Sequence, residues 1–128
     1  YYEWRPPPEG AGSRKQPFYI YPRSGEPLAM AGLFEDWHGP HGEMRTCTIL
    51  TQEAVGPVAD IHDRMPVEVP ESWWERWLDP DLEDAQGALE DICVQSRTGV
   101  EAGSRDFYPV STRVNAPVNE GADLITPV

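Results

Sequence analysis

Apolar and polar residues alternate with a period of two along much of this chain, the mark of strands that pack one face and wet the other. Residues 1–5 predict a first strand, with Tyr2 and Trp4 on one face and Glu3 on the opposite one. Residues 6–13, rich in Pro and Gly, follow as a turn or loop. A second strand at 16–21 sends Phe18 and Ile20 one way and Tyr19 and Tyr21 the other. The turn Ser24-Gly25-Glu26-Pro27 predicts a hairpin into a third strand at 28–35, which Gly32 interrupts. Residues 44–51 form a fourth strand, apolar enough to be central in a sheet. A short helical turn at 52–59, weakened by Gly56-Pro57, leads to a strand-like run at 65–69.

The period then changes. Residues 70–78 predict a short helix, because Ser72 and Glu75 have the spacing of a capping box. Trp73, Trp74, Trp77 and Leu78 give it an apolar stripe suited to packing on a sheet. Asp81 is placed to cap a second helix at 82–93, where Leu82, Ala85, Leu89 and Ile92 share a face. Gly87 weakens that helix by about 1 kcal/mol relative to Ala. Residues 97–105 predict a loop with two glycines, followed by a strand near 107–110 and a capped terminal segment at 119–128.

At 128 residues, with five Trp, five Tyr and three Phe, the chain is one domain or part of one and carries enough aromatic bulk for a packed core. Fourteen Pro and eleven Gly imply many short elements. The expected class is α+β: a bent, mainly antiparallel, barrel-like sheet with short helices packed outside. No apolar run approaches a membrane span, so no membrane partner is expected. Cys47 and Cys93 lie in no paired motif, which favours buried reduced thiols over a disulfide. The net charge of −12 argues against a general nucleic-acid binder. Eight of the twenty-two acids fall between Glu71 and Asp91, however, so much of that charge can occupy a face remote from a DNA site.

The densest chemistry lies in Asp60-Ile61-His62-Asp63-Arg64-Met65-Pro66-Val67. A loop that becomes a strand can present an imidazole to a cleft. If the segment is extended, His62 and Arg64 share a side, and an imidazole beside a guanidinium suits acid–base work next to a phosphate. The plainer alternative is an Asp63–Arg64 pair beside an ordinary histidine. Glu3, set between aromatics, is either a proton-shuttling carboxylate or a solvent-facing strand residue. Trp4, taken by itself, reads as a core indole. Thr51, closing the predicted fourth strand, reads locally as a cap for the next segment. His38-Gly39-Pro40-His41, near Glu35, Asp36 and Glu43, lacks the fixed spacing of a metal site and is better read as a solvated hairpin loop.

Several blocks occur in a telling order: Tyr1-Tyr2-Glu3-Trp4, Lys15-Gln16-Pro17-Phe18-Tyr19-Ile20, Ala31-Gly32-Leu33-Phe34-Glu35, Thr48 to Ala54, Ile61 to Val67, and Val110-Ser111-Thr112-Arg113-Val114-Asn115. In this order they resemble the SRAP (SOS-response-associated peptidase) family, whose members crosslink themselves to abasic sites in single-stranded DNA. The resemblance covers about the C-terminal half of such a domain. It implies that Glu3 and His62 are catalytic, that Trp4, Thr51 and Arg64 contact DNA, and that no cofactor is used. The implied partner is single-stranded DNA containing abasic sites, in the cytoplasm, with a preceding segment or another chain completing the domain. That segment would bring the family's N-terminal cysteine, whose α-amine and thiol form a thiazolidine with the opened sugar. Cys47 and Cys93 are internal and lack that amine, so residues 1–128 alone are expected not to crosslink. A thiol-type peptidase and an inactive truncated module remain the competing readings. Arg113 is read as a brace for the sheet rather than a DNA contact.

Overall fold

The structure is a computed structural model that describes residues 1–10 and 12–128. It is α+β and antiparallel throughout, but the strands form three small sheets and no closed barrel among the described residues. The first sheet has the order β1 (Tyr2–Arg5), β2 (Gln16–Pro22), β7 (Arg105–Pro109). Alternation sorts its faces as the sequence predicts: Phe18 and Ile20 are buried, while Tyr2, Tyr19, Tyr21 and Tyr108 form a ladder on the other side. Neighbouring rings in that ladder, along β2 and across to β1 and β7, have centroids 5.4–5.7 Å apart, within the range of favourable aromatic pairs.

The predicted hairpin from the second strand into the third does not form. β2 pairs with β7 instead, from Phe18 opposite Pro109 to Pro22 opposite Arg105. The third strand starts later than predicted, as β3 (Gly32–Gly39), and pairs with β4 (Gly42–Ile49) around the two-residue turn Pro40-His41. The predicted solvated loop at His38–His41 is the exposed tip of this hairpin, with only Pro40 and His41 outside its strands. β4 is not central. Every one of its residues is exposed, Cys47 included, so the expectation of two buried thiols fails there, while Cys93 is half-buried. Apolar composition mistook an uncovered strand for a covered one.

β5 (Thr51–Glu53) and β6 (Arg64–Pro66) form the third sheet, where a helical turn had been expected to begin. The helical turn proper is a 3-10 turn, Gly56–Asp60. Gly56 begins it at φ +55, with the Val100 carbonyl oxygen 3.2 Å from where a Cβ would sit, so a side chain here would be strained and crowded. The run from Met65 to Val69 is buried throughout.

Residues 70–78 form a 3-10 turn, Glu71–Trp73, and one turn of helix, α1 (Trp74–Trp77). The expected capping box is absent: Pro70 stands at the cap position, with no side-chain bond. Trp73 and Trp77 pack as expected, Leu78 faces outward, and Trp74 stays partly exposed with its indole N–H donating to the Val69 carbonyl at 2.9 Å. The long helix is α2 (Ala85–Glu101), capped by Asp84, which accepts from the Gly87 N–H at 2.9 Å. It starts after Leu82 and runs through most of the predicted loop. Its buried face is Ala88, Ile92, Ser96 and Val100, a strict i, i+4 row. Among the described residues no helix is long and apolar enough to cross a membrane.

Two apolar clusters result. Phe18, Ile20, Ala54, Val58, Ile61, Met65 and Val100 form one, and Ala31, Val67, Val69 and Ile92 the other. Polar links hold the region between them. Ser96 accepts from Gln52 at 2.9 Å and from the Glu68 N–H at 3.0 Å, and Glu68 forms a two-pronged ion pair with Arg105. Both side chains of that pair are nearly buried, at 11% and 12% exposure. Glu68→Ala should therefore destabilise the fold by about 3 kcal/mol in urea unfolding, because it strands a buried guanidinium. A loss below about 1 kcal/mol would mean the pair is solvated.

Candidate functional site

His62 is positioned by burial on either side of it. Val58 and Ile61 sink into the first cluster, and Met65 does the same from β6, which leaves His62 and Asp63 at the surface between them. The segment is thus not extended at His62, and simple alternation does not set the direction of its ring. A local bond does: the Arg64 N–H donates to His62 Nδ1 at 3.0 Å. The Arg64 carbonyl and Asp63 Oδ1 each lie 3.1 Å from the same nitrogen, so an acceptor is ready if Nδ1 carries the proton. Asp63 consequently partners His62 and not Arg64, contrary to the plainer expectation.

The far nitrogen, Nε2, points at β1. It lies 4.0 Å from Glu3 Oε2, with side-chain exposures of 37% and 24%. That gap is too long for a hydrogen bond and suits a bridging atom between the two. Glu3 reaches the site because it shares the inward face of β1 with its register partner Phe18. Tyr1 is on the same side, where burial and then the Glu3 carboxylate push its phenol pKa above the ordinary range.

Trp4 belongs to the opposite face of β1 by alternation. Its indole N–H donates to Asn115 Oδ1 at 2.7 Å, and the residue borders an open hollow shared with Arg5, Lys15, Asp60, His62 and Asp63. Asn115 closes a 3-10 turn, Thr112–Asn115, and nothing in the sequence marked it as the residue that holds Trp4. Arg113, on the same turn, pairs with Asp123 and braces the terminal segment.

Arg64 and Thr51 meet on the outer face of the third sheet. The guanidinium donates to the Thr51 carbonyl at 2.6 Å and to its hydroxyl at 3.0 Å. Sequence reasoning placed both near a phosphate without anticipating that they touch each other. Among the described residues no group of three metal-ligating side chains forms, the His38–His41 region included.

With this geometry in place, the comparisons with known proteins are decisive. The sequence pattern of the SOS response associated peptidase (SRAP) family matches residues 1–117. The chain belongs to that family. It is 35% identical over 126 residues to the abasic site processing protein YoqW of Bacillus subtilis (strain 168), covering 98% of this chain and 53% of the relative. It is 29% identical to YedK of Escherichia coli (strain K12), named in the same way, covering 100% of this chain and 54% of the relative. A crystal structure of a protein from Bacteroides thetaiotaomicron superposes with a TM-score of 0.76 at 25% identity, covering 100% of this chain and 53% of that one. The chain thus spans about half the length of the relatives it matches.

Neither His62 nor Glu3 supports the core. His62→Ala should change unfolding free energy by less than about 0.5 kcal/mol. Trp4→Phe should cost about 1 kcal/mol through the lost bond to Asn115. Parallel urea titrations would check both, and a large loss in His62→Ala would make that residue structural.

Proposed function

We propose that residues 1–128 are the C-terminal portion of a single SRAP domain that recognises abasic sites in single-stranded DNA and becomes covalently joined to them. The observation that carries this reading is the 4.0 Å approach of His62 to Glu3 at a partly open surface. Two acid–base groups at that separation can serve one small electrophile. The names of the relatives supply the substrate class: abasic site processing.

An abasic sugar opens when its C1′ hydroxyl loses a proton, the C1′–O4′ bond breaks and O4′ gains a proton. His62 is suited to that exchange. The α-amine of the family's N-terminal cysteine then adds to the aldehyde carbon, and loss of water gives an imine. Its thiol adds to the imine carbon, the nitrogen takes a proton, and a thiazolidine closes. Glu3 shuttles protons at the amine. Arg64, held against Thr51, offers its remaining N–H groups to a flanking phosphate, and Trp4 offers its ring to a neighbouring base.

The nucleophile belongs to the portion that precedes residue 1 in the family domain. Cys93 is a poor substitute, because burial pushes its thiol pKa up and it has no α-amine. The barrel-like closure expected from the sequence belongs to the completed domain as well. With the preceding portion joined to it, the chain should give a denaturation-resistant adduct with abasic single-stranded DNA, and alone it should give none. Glu3→Gln and His62→Ala should each slow adduct formation about a hundredfold. An adduct from residues 1–128 alone would overturn the assignment. So would variants that crosslink normally but lose cleavage of a peptide, which is the outcome a thiol peptidase predicts.

A further inference from the structure

We propose that the β3–β4 hairpin is an interior strand pair, covered on both faces by the polypeptide that corresponds to the part of the Bacillus relative this chain does not span. The inference rests on the completed domain proposed above and is independent of the DNA chemistry.

Register fixes which residues share a face. Leu33, Trp37 and Met44 lie on one side of the hairpin, and Phe34, Cys47 and Ile49 on the other. All are exposed: Leu33 at 52%, Trp37 at 47% and Met44 at 58% on the first side, Phe34 at 69% and Ile49 at 48% on the second. Singly exposed apolar residues are ordinary, but five on one ribbon are not. A strand pair at a free surface keeps one apolar face and one polar face. Apolar residues on both faces fit a pair with a layer above and a layer below.

The polar groups point the same way. Asp36 is paired with Arg45 at 2.7 Å, and Glu43 with His38 at 3.1 Å. Glu35, on the side of Leu33 and Trp37, is the one hairpin carboxylate without an ion-pair partner among the described residues, so the uncovered demand is mainly apolar. At its base the surface runs on into a shallow apolar groove lined by Met30, Gly32, Trp74, Trp77 and Leu78, the last at 75% exposure. Beyond its base the ribbon stands free for about 25 Å of strand. An isolated two-stranded ribbon of that kind is marginal in water.

The occupant follows from length. The Bacillus relative matches this chain over 98% of its residues, yet that match accounts for 53% of the relative. The Bacteroides structure shows the same proportion, superposing on the whole of this chain with 53% of its own. Roughly a second chain's worth of polypeptide therefore accompanies this fold in both. A self-paired dimer would have to cover two faces of each hairpin at once, which a single isologous contact does not do.

The test mixes the 128-residue chain with the unmatched part of the Bacillus relative, produced as a separate polypeptide, and follows amide hydrogen exchange. Amides of β3 and β4 should slow about tenfold or more on mixing, because burial suppresses local opening. Phe34→Ser should weaken the complex about tenfold or more. Its own melting should be unchanged, since Phe34 contributes nothing to the present core. Unchanged exchange on mixing would overturn the proposal. So would protection already present in the chain alone, together with a dimeric mass in solution, because the occupant would then be a second copy. DNA is in neither arm, so failure here and failure of the crosslinking assignment are separate results.

Discussion

The polar site depends on an apolar contact. Val58 and Ile61, on either end of one short turn, are buried with Phe18 and Ile20 on the inward face of β2. Each such side chain is worth about 1.5–3 kcal/mol when removed from water, more than any bond His62 itself makes. That burial brings the His62 turn beside the edge strand that carries Glu3. Hydrogen bonds from the backbone at Arg64 then choose the ring's direction, at little further cost.

The distribution of charge fits the same division. The acid-rich stretch from Glu71 to Asp91 lies on α1, the start of α2 and the connection between them, beside the second cluster. The hollow at His62 borders the first cluster and carries Arg5 and Lys15 as well as Asp60 and Asp63. A net charge of −12 is therefore a property of the whole chain and not of the surface next to the imidazole.

What could be read from the sequence was whatever alternation decides locally. Period-two patterning gave β1, β2 and the placing of Glu3 on the face opposite Tyr2 and Trp4, but it left open whether that face is the packed one. It failed at β4, where apolar side chains have nothing to pack on in these 128 residues, and composition cannot report coverage. It failed also for the partner of β2, because β7 lies far away in sequence and no local pattern encodes that pairing. The helix at 85–101 outruns its predicted end at 93, because Val100, buried in the first cluster, holds a last turn where two glycines read as a loop. For the site, family resemblance singled out Glu3 and His62, but the hold of Asn115 on Trp4 and of Thr51 on Arg64 are long-range contacts with no signature in composition or spacing.

α2 supplies Ile92 to one cluster and Val100 to the other, and its last turn carries the carbonyl that crowds Gly56 at the start of the His62 turn. One rigid rod therefore joins both halves of the interior, and neither half can loosen without tugging on its neighbour. Loosening of Trp73 and Trp77, which pack on the second cluster, would thus be felt through α2 at the turn that carries the imidazole.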